Sequence, residues 1–507
     1  DPNGVCEMTN LPIEELLARV QELLHYDPSA PLIFNSGLFL FLFTAFAAGY
    51  ALLRRATSLR IVYVILFSIY FYYKSSGIYF LLLVFAAVSD FAIAHYIYRS
   101  KSQSAKKWLV ALSVAVNLGM LGYFKYTNFL VEIANDIFGA GFLDFRNIFL
   151  PVGISFFVFQ SMSYTIDVYR GAIRPLRRWI DYMFYLSFFP QLVAGPIVRA
   201  RDFIPQIRKP VAVTRRMFGL GVGFIIIGLV KKAVISDYIS LNFVDRVFDD
   251  PALYSGFECL AGIYGYALQI YCDFSGYSDM AIGIALLLGF RFPKNFDAPY
   301  KSATITEFWR RWHISLSSWL RDYLYISLGG NRKGRVRTYI NLLLTMVLGG
   351  LWHGAAVRFV LWGALHGVAL ALHKMWMAVI PWAKADGKDM NIVSRAVGFL
   401  VTFNLVCLGW LLFRADSMQT VHVMLYQIFH NFDASLIPQV VAGYKAVFAL
   451  IAAGYVMHFM PAKIDADLQN RVVNASFWWQ VAMLTLTVWC VMQIKSSDIQ
   501  PFIYFQF

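Results

Sequence analysis

Two histidines carry the chemistry that this sequence offers. His313 stands in Trp-Arg-Arg-Trp-His-Ile-Ser and His353 closes Gly-Gly-Leu-Trp-His-Gly. An imidazole takes up and releases a proton near neutral pH, which makes it the usual general base. Both sit among strongly apolar segments, and titratable groups at membrane depth are costly, so they tend to face a cavity and carry function. Gly349, Gly350 and Gly354 around His353 point to close backbone approach and room for a substrate. The histidines are 40 positions apart, so local sequence does not say that they meet. A lone membrane histidine can equally be a hydrogen-bonded structural group. We read His353 as a general base. For His313, direct participation and a substrate-orienting role both stand, because Arg310 and Arg311 lie beside it.

Other residues compete for a role. The stretch Tyr-Cys-Asp-Phe-Ser-Gly-Tyr-Ser-Asp places Asp273 and Asp279 in an apolar run. Six positions apart, they do not share one helical face, and Ser275 with Gly276 between them points to a local break. They form either a buried polar network or a wall of a reaction tunnel, possible partners being Gln269 and Tyr277. Trp312 and Trp352, each next to a histidine, are further lining candidates. Asp90, Asp167 and Tyr169 read as structural. His366 and His373 share a face seven apart, but no carboxylate or cysteine completes a ligand set with His353, so no metal is expected. The GxSxG, Walker A and dinucleotide glycine patterns are absent. Cys6, Cys259, Cys272, Cys407 and Cys490 are scattered, with no CxxC pair.

These residues must be held by membrane helices. Of the 507 residues 59% are hydrophobic, 17% aromatic and only 15% charged, and mean hydropathy is +0.57. That is the composition of a polytopic membrane protein. The net charge of +14 clusters in short loops between apolar segments, a topogenic pattern and not a nucleic-acid surface. The chain begins with Asp; Met8 is a plausible native start, and no cleavable signal peptide is expected before Leu38. Residues 11–25 read as an amphipathic helix, within an N-terminal segment 1–36 ahead of a single membrane domain 37–507.

Apolar runs begin at 37, 61, 78, 108, 148, 217, 257, 339, 356, 394, 444 and 476. The expectation is an all-α polytopic fold of about 10–12 spans with re-entrant and amphipathic pieces around a transmembrane tunnel. Basic loops at 54–60, 99–107, 170–178, 199–216 and 291–338 should be cytoplasmic, which puts the N-terminus outside. Arginines flank both ends of 182–198, whose core Phe-Phe-Pro-Gln-Leu-Val-Ala-Gly-Pro-Ile carries Pro190, Gly195 and Pro196. A re-entrant segment fits, with Gln191 either on a polar substrate or on freed backbone groups. Residues 305–325 read as an amphipathic helix capped by Thr306.

Taken together, FFPQLVAGPI, YCDFSGYSDMAIG, NFDAPY, ITEFWRRWHISLSSWLRDYLYISLGGNRKG and LGGLWHG resemble the membrane-bound O-acyltransferase family, in its bacterial branch that O-acetylates exported polysaccharides. The likeness is dense over about 120–370. It implies a catalytic His353, a second family position at His313, and helices around a tunnel. A cytoplasmic acyl donor, acetyl-CoA or an acyl carrier, would enter one side as substrate and an external acceptor the other, with no resident cofactor. It also implies a periplasmic or extracellular O-acetyltransferase partner and residence in the bacterial inner membrane. A tension remains: the topology leaves His313 near the cytoplasmic face and His353 about 20 Å up the next helix. For both to touch one substrate, the 305–325 helix must dip inward. The competing readings are a transporter or flippase of an acyl or lipid-linked intermediate, and a scaffold for polysaccharide export.

Overall fold

The computed structural model describes residues 21–28, 31–193, 195–380 and 390–494, and every regular element among them is helical. The amphipathic helix expected over 11–25 falls mostly outside the described residues. The apolar stretches fold as α1 (Gly37–Leu52), α2 (Thr57–Ser76), α3 (Phe80–Arg99), α4 (Gln103–Leu121), α5 (Thr127–Phe138) and α6 (Ile154–Tyr169). Three short pieces follow, α7 (Trp179–Ser187), α8 (Phe189–Leu192) and α9 (Ala200–Ile207). Beyond them come α10 (Arg215–Leu229), α11 (Gly256–Leu287), α12 (Ile305–Arg311), α13 (Ile314–Trp319), α14 (Arg335–His353), α15 (Val357–Val379) and α16 (Ile392–Arg414).

Four described stretches are long and apolar enough to cross a membrane, or up to six if each of two bent pairs is one span. This is a polytopic all-α membrane protein, with fewer such stretches than the 10–12 that hydropathy led us to expect. Two physical reasons account for the difference. The stretch Thr57–Arg99 is 43 residues long, chain enough for two crossings at about 1.5 Å per residue, and breaks at Gly77, where φ is +59°. Other expected spans carry polar residues inside the apolar run: α11 has Asp273, Ser275 and Asp279, and α14 has Asn341, Thr345 and His353.

At the centre stands α11, 32 residues long and started by a capping box between Ser255 and Glu258. The break expected at Ser275–Gly276 does not occur. Gly276 is there for contact: a Cβ on it would stand 2.8 Å from the Gly228 carbonyl oxygen, and one on Gly283 would stand 2.6 Å from that of Gly221. Without a hydrophobic drive between helices in lipid, small residues let backbones approach and pack. The same crossing carries charge. Beyond α10 the chain winds as a π-helix over Val230–Ser236, and its lysines reach α11. Lys231 pairs with Asp279 at 2.7 Å, and Lys232 with Asp273 at 2.6 Å and Asp237 at 2.7 Å. Carboxylates six apart diverge by about 120° around a helix and adjacent lysines by about 100°, so each finds its own partner.

The segment 182–198 is a hairpin. Asp181, at the start of α7, is held by Arg208, just after α9, through two bonds of 2.7 and 2.6 Å. Within the segment, Tyr185 donates to the Val198 carbonyl at 3.0 Å, which brings its two arms together. Arg60 donates to the carbonyls of Arg54, Ile207 and Lys209. Arg199 pairs with Asp322 at 2.6 Å, and Arg170 bonds the Asp322 carbonyl and Ser327. Four of the basic regions expected on one face are thus tied to one another.

Removing one member of a buried ion set strands its partners, at a cost of about 3–5 kcal/mol. Lys232→Met should lower the yield of monodisperse protein and its melting temperature in detergent. Adding Asp273→Leu and Asp237→Asn should restore most of the loss. Equal stability of Lys232→Met and wild type would show that the pairs are dispensable.

Candidate active site

The helix expected over 305–325 breaks in the middle. Thr304, not Thr306, caps α12: its hydroxyl accepts from the Glu307 N–H, because it is Thr304 that stands in the extended conformation an N-cap needs. Thr306 instead bonds His373 Nδ1 at 2.7 Å. After α12 the chain reverses at His313, which takes φ +42° and ψ +56°. Such a left-handed conformation is uncommon for a non-glycine residue and needs outside support. The strand-like segment 295–297 gives it: the Ile314 N–H donates to the Asn295 carbonyl and the Asp297 N–H to the Arg311 carbonyl, each at 2.9 Å. The hairpin thereby drives His313 into the core at 0% exposure, edge-on to Phe274 of α11 at 4.6 Å between ring centroids.

His353 arrives at the same place from the other direction. It ends α14, whose 19 residues carry it about 27 Å from Arg335. Its ring meets Trp352 at 4.9 Å, Trp362 at 5.1 Å and Phe413 at 5.3 Å, and the Trp352 ring is 6.2 Å from that of His313. The inward dip resolves the separation: both imidazoles border Trp352. The end of α14 is sealed by Lys125, whose ammonium donates to the carbonyls of Trp352 and His353 at 2.8 Å each, and by Tyr126, which donates to Leu351. A cation at a helix C-terminus satisfies otherwise unpartnered carbonyls and favours the negative end of the helix dipole. The glycines near His353 leave less room than expected. Gly350 lies against the Phe359 carbonyl and Gly363, and Gly354 against the Phe359 ring, so they serve the α14–α15 crossing.

The structure brings His313, His353 and Trp352 together. Trp312 is one layer away, against Trp410 at 4.7 Å and Phe296 at 5.1 Å. Asp273 and Asp279 lie on their lysines across the α10–α11 crossing. Tyr277 stacks on Phe34 at 4.7 Å, Ser275 is buried on the same helix, and Gln269 donates to Ser240. Gln191 is fully buried and donates to the Tyr185 carbonyl, a backbone group beside the helix break. Asp90 receives Ser113, Asn117 and Ser161. His366 accepts from the Trp309 indole at 3.3 Å. Arg310 is exposed, whereas Arg311 is held by Glu307 at 2.9 Å and the Asp297 carbonyl at 3.0 Å. Lys294, donating to the Asp297 carboxylate, holds that group below the usual carboxylate range.

Two cavities flank α14. One, about 40 Å³ and lined by Lys125, Pro151, Gly153, Ser155, Val193 and Trp352, reaches the aromatic wall from the α4–α5 junction. The other, about 460 Å³, lies at the Arg335 end among Asn331, Thr338, Tyr339 and Lys374. Sequence reasoning missed Asn295, Ser315 and Lys125, which hold the two histidines, and Lys231 and Lys232. The last two had a signal: adjacent lysines inside an apolar run need carboxylates at the same depth.

The pattern defining the membrane-bound O-acyltransferase family matches residues 178–413, which include both histidines. A probable alginate O-acetylase of Azotobacter vinelandii is 38% identical over 94% of this chain and 100% of its own length. A peptidoglycan O-acetyltransferase of Helicobacter pylori is 35% identical over 77% of this chain and 78% of its own. A teichoic acid D-alanyltransferase of Bacillus subtilis is 28% identical over 55% of this chain and 72% of its own. The chain belongs to the membrane-bound O-acyltransferase family and is a multi-pass membrane O-acyltransferase.

Proposed function

We propose that this protein takes an acetyl group from a cytoplasmic thioester, acetyl-CoA or an acyl carrier, and passes it through the bilayer for O-acylation of an exported polysaccharide such as alginate or peptidoglycan. The relatives named as alginate and peptidoglycan O-acetylating proteins support the substrate class. The observation that carries the chemistry is the convergence of His313 and His353 on Trp352 from opposite ends of the fold. In this reading the protein lies in the bacterial inner membrane with its N-terminus outside; it acetylates short acceptors such as oligomannuronate directly, and a periplasmic O-acetyltransferase partner carries the group onto the exported polymer.

His353 removes the proton from an acceptor hydroxyl. The oxygen attacks the thioester carbonyl; a C–O bond forms, the C–S bond breaks, and the proton passes from the imidazolium to the leaving thiolate. His313 orients the donor at the same carbonyl. Trp352 walls the reacting atoms from lipid, and Trp312, Gln191, Asp273, Ser275, Tyr277 and Asp279 support the surrounding helices through the contacts described above. Arg310 and Arg311 face the donor side, Arg310 exposed and Arg311 half-buried against Glu307.

In proteoliposomes with acetyl-CoA and oligomannuronate, His353→Ala should cut acetyl transfer by at least 100-fold while inserting normally, the scale of a lost general base. Full activity in that variant would refute the assignment. Arg310→Glu should raise the donor KM several-fold at low salt, an effect that fades as salt screens the charge; an unchanged KM would leave the arginine a membrane anchor.

The hairpin reading of 182–198 has its own test. Arg178→Cys and Arg201→Cys should both label with a membrane-impermeant thiol reagent only from the cytoplasmic side. Labelling of one from each side would make the segment a true span and invert the orientation up to it.

A further inference from the structure

The polar contacts of His313 fix more than its position. Asn295 stands behind it, and the orientation of its carboxamide is set by neighbours that leave no choice. The Ser315 backbone N–H, which only donates, lies 3.2 Å from Asn295 Oδ1. Oδ1 is therefore oxygen, and Asn295 Nδ2 donates to Ser278 on α11 at 3.1 Å. Ser315 Oγ accepts from the Ile197 N–H at 3.0 Å and is 2.8 Å from Asn295 Oδ1, against 3.4 Å from His313 Nδ1, so its single proton goes to Asn295. His313 Nδ1 then faces an acceptor oxygen at 3.2 Å. A bare Nδ1 there would set lone pair against lone pair; a protonated Nδ1 makes a hydrogen bond. Nε2 is buried and has no hydrogen-bond partner among the described residues.

We infer that Asn295 and Ser315 are positioning residues that hold His313 as its Nδ1–H tautomer, so that Nε2 presents a lone pair to the site and accepts a hydrogen bond from an O–H or N–H of the substrate. Neutral His313 then cannot donate to an oxyanion; it orients a hydrogen donor, either the acceptor hydroxyl or an amide N–H of the thioester arm. The Ile197 link extends the set to the 182–198 hairpin, so that hairpin, α11 and the His313 turn hold one imidazole in one protonation pattern. The inference deepens the acyl-transfer reading and rests on it for the identity of the substrate.

The direct measurement is the nitrogen-15 spectrum of histidine-labelled full-length protein in lipid, with the His313 signals identified by difference against His313→Phe. The wild type should show a protonated Nδ1 and a bare Nε2; a protonated Nε2 on neutral His313 would overturn the inference even if transfer is intact. The second measurement is kinetic, with acetyl-CoA and oligomannuronate. Asn295→Leu should fold and lower kcat/KM at least tenfold, and Asn295→Asp, which keeps an acceptor at Nδ1, should recover most of it. In His313→Phe, a raised KM for acetyl-CoA identifies the N–H of the donor, and a raised KM for oligomannuronate identifies the hydroxyl. Both KM values and kcat unchanged would overturn the inference. If wild type transfers no acetyl group while the spectrum shows the stated tautomer, the acyl-transfer reading fails and the positioning stands.

Discussion

A chain that reverses direction inside a membrane protein exposes backbone groups where no water can satisfy them, and the reversal at His313 exists because other parts of the chain do so. Each unsatisfied group there would cost several kcal/mol. The 295–297 segment pairs with the hairpin through backbone bonds at 2.9 Å. Asn295 and Ser315 close the side-chain requirements, and Ser315 reaches the 182–198 hairpin through Ile197. Without the backbone pairing to 295–297, α12 and α13 have the pattern of one continuous amphipathic helix, which would leave His313 near the surface. The site exists because tertiary hydrogen bonds override a local helical preference.

Charge is handled by the same rule on the far side of α11. Lys231 and Lys232 stand in a π-helical turn, and Lys125 in another, Gly122–Tyr126. An extra residue in a turn rotates the side chains that follow it, and such turns recur at functional sites. Here they aim ammonium groups that an α-helix would direct elsewhere: two at carboxylates of α11, one at the carbonyls ending α14. The glycine contacts at Gly228–Gly276 and Gly221–Gly283 bring the backbones close enough for those bonds to form.

What the sequence made legible was periodicity, composition and local breakers. The helix positions follow from apolar runs, so α10, α11 and α14 begin within a few residues of expectation. The hairpin followed from Pro190 and Pro196 with arginines on both flanks. Both histidines stood out because imidazole is expensive in lipid. Contacts between distant segments were not legible. Nothing local tells that Asn295 serves His313, that Lys125 closes a helix more than two hundred residues later, or that Gly350 and Gly354 press on α15 and do not open a space. The break expected at Gly276 failed for a related reason: a glycine inside a strongly helical run marks either flexibility or close approach, and only the partner helix decides which.

The two histidines reach Trp352 by opposite devices, and that asymmetry separates their chemistry. His313 sits before the first turn of α13 with its Nδ1 edge occupied by Asn295, so its tautomer is set by a neutral carboxamide through one bond. His353 sits at the last turn of α14, where the carbonyls of residues 351–353 are taken by Tyr126 and Lys125 and its own ring is enclosed by Trp352, Trp362 and Phe413. A ring among aromatic faces is restrained in its orientation. One histidine is thus placed by a reversal of the chain and the other by the end of a long helix. A common wall, Trp352, is what lets a substrate feel both.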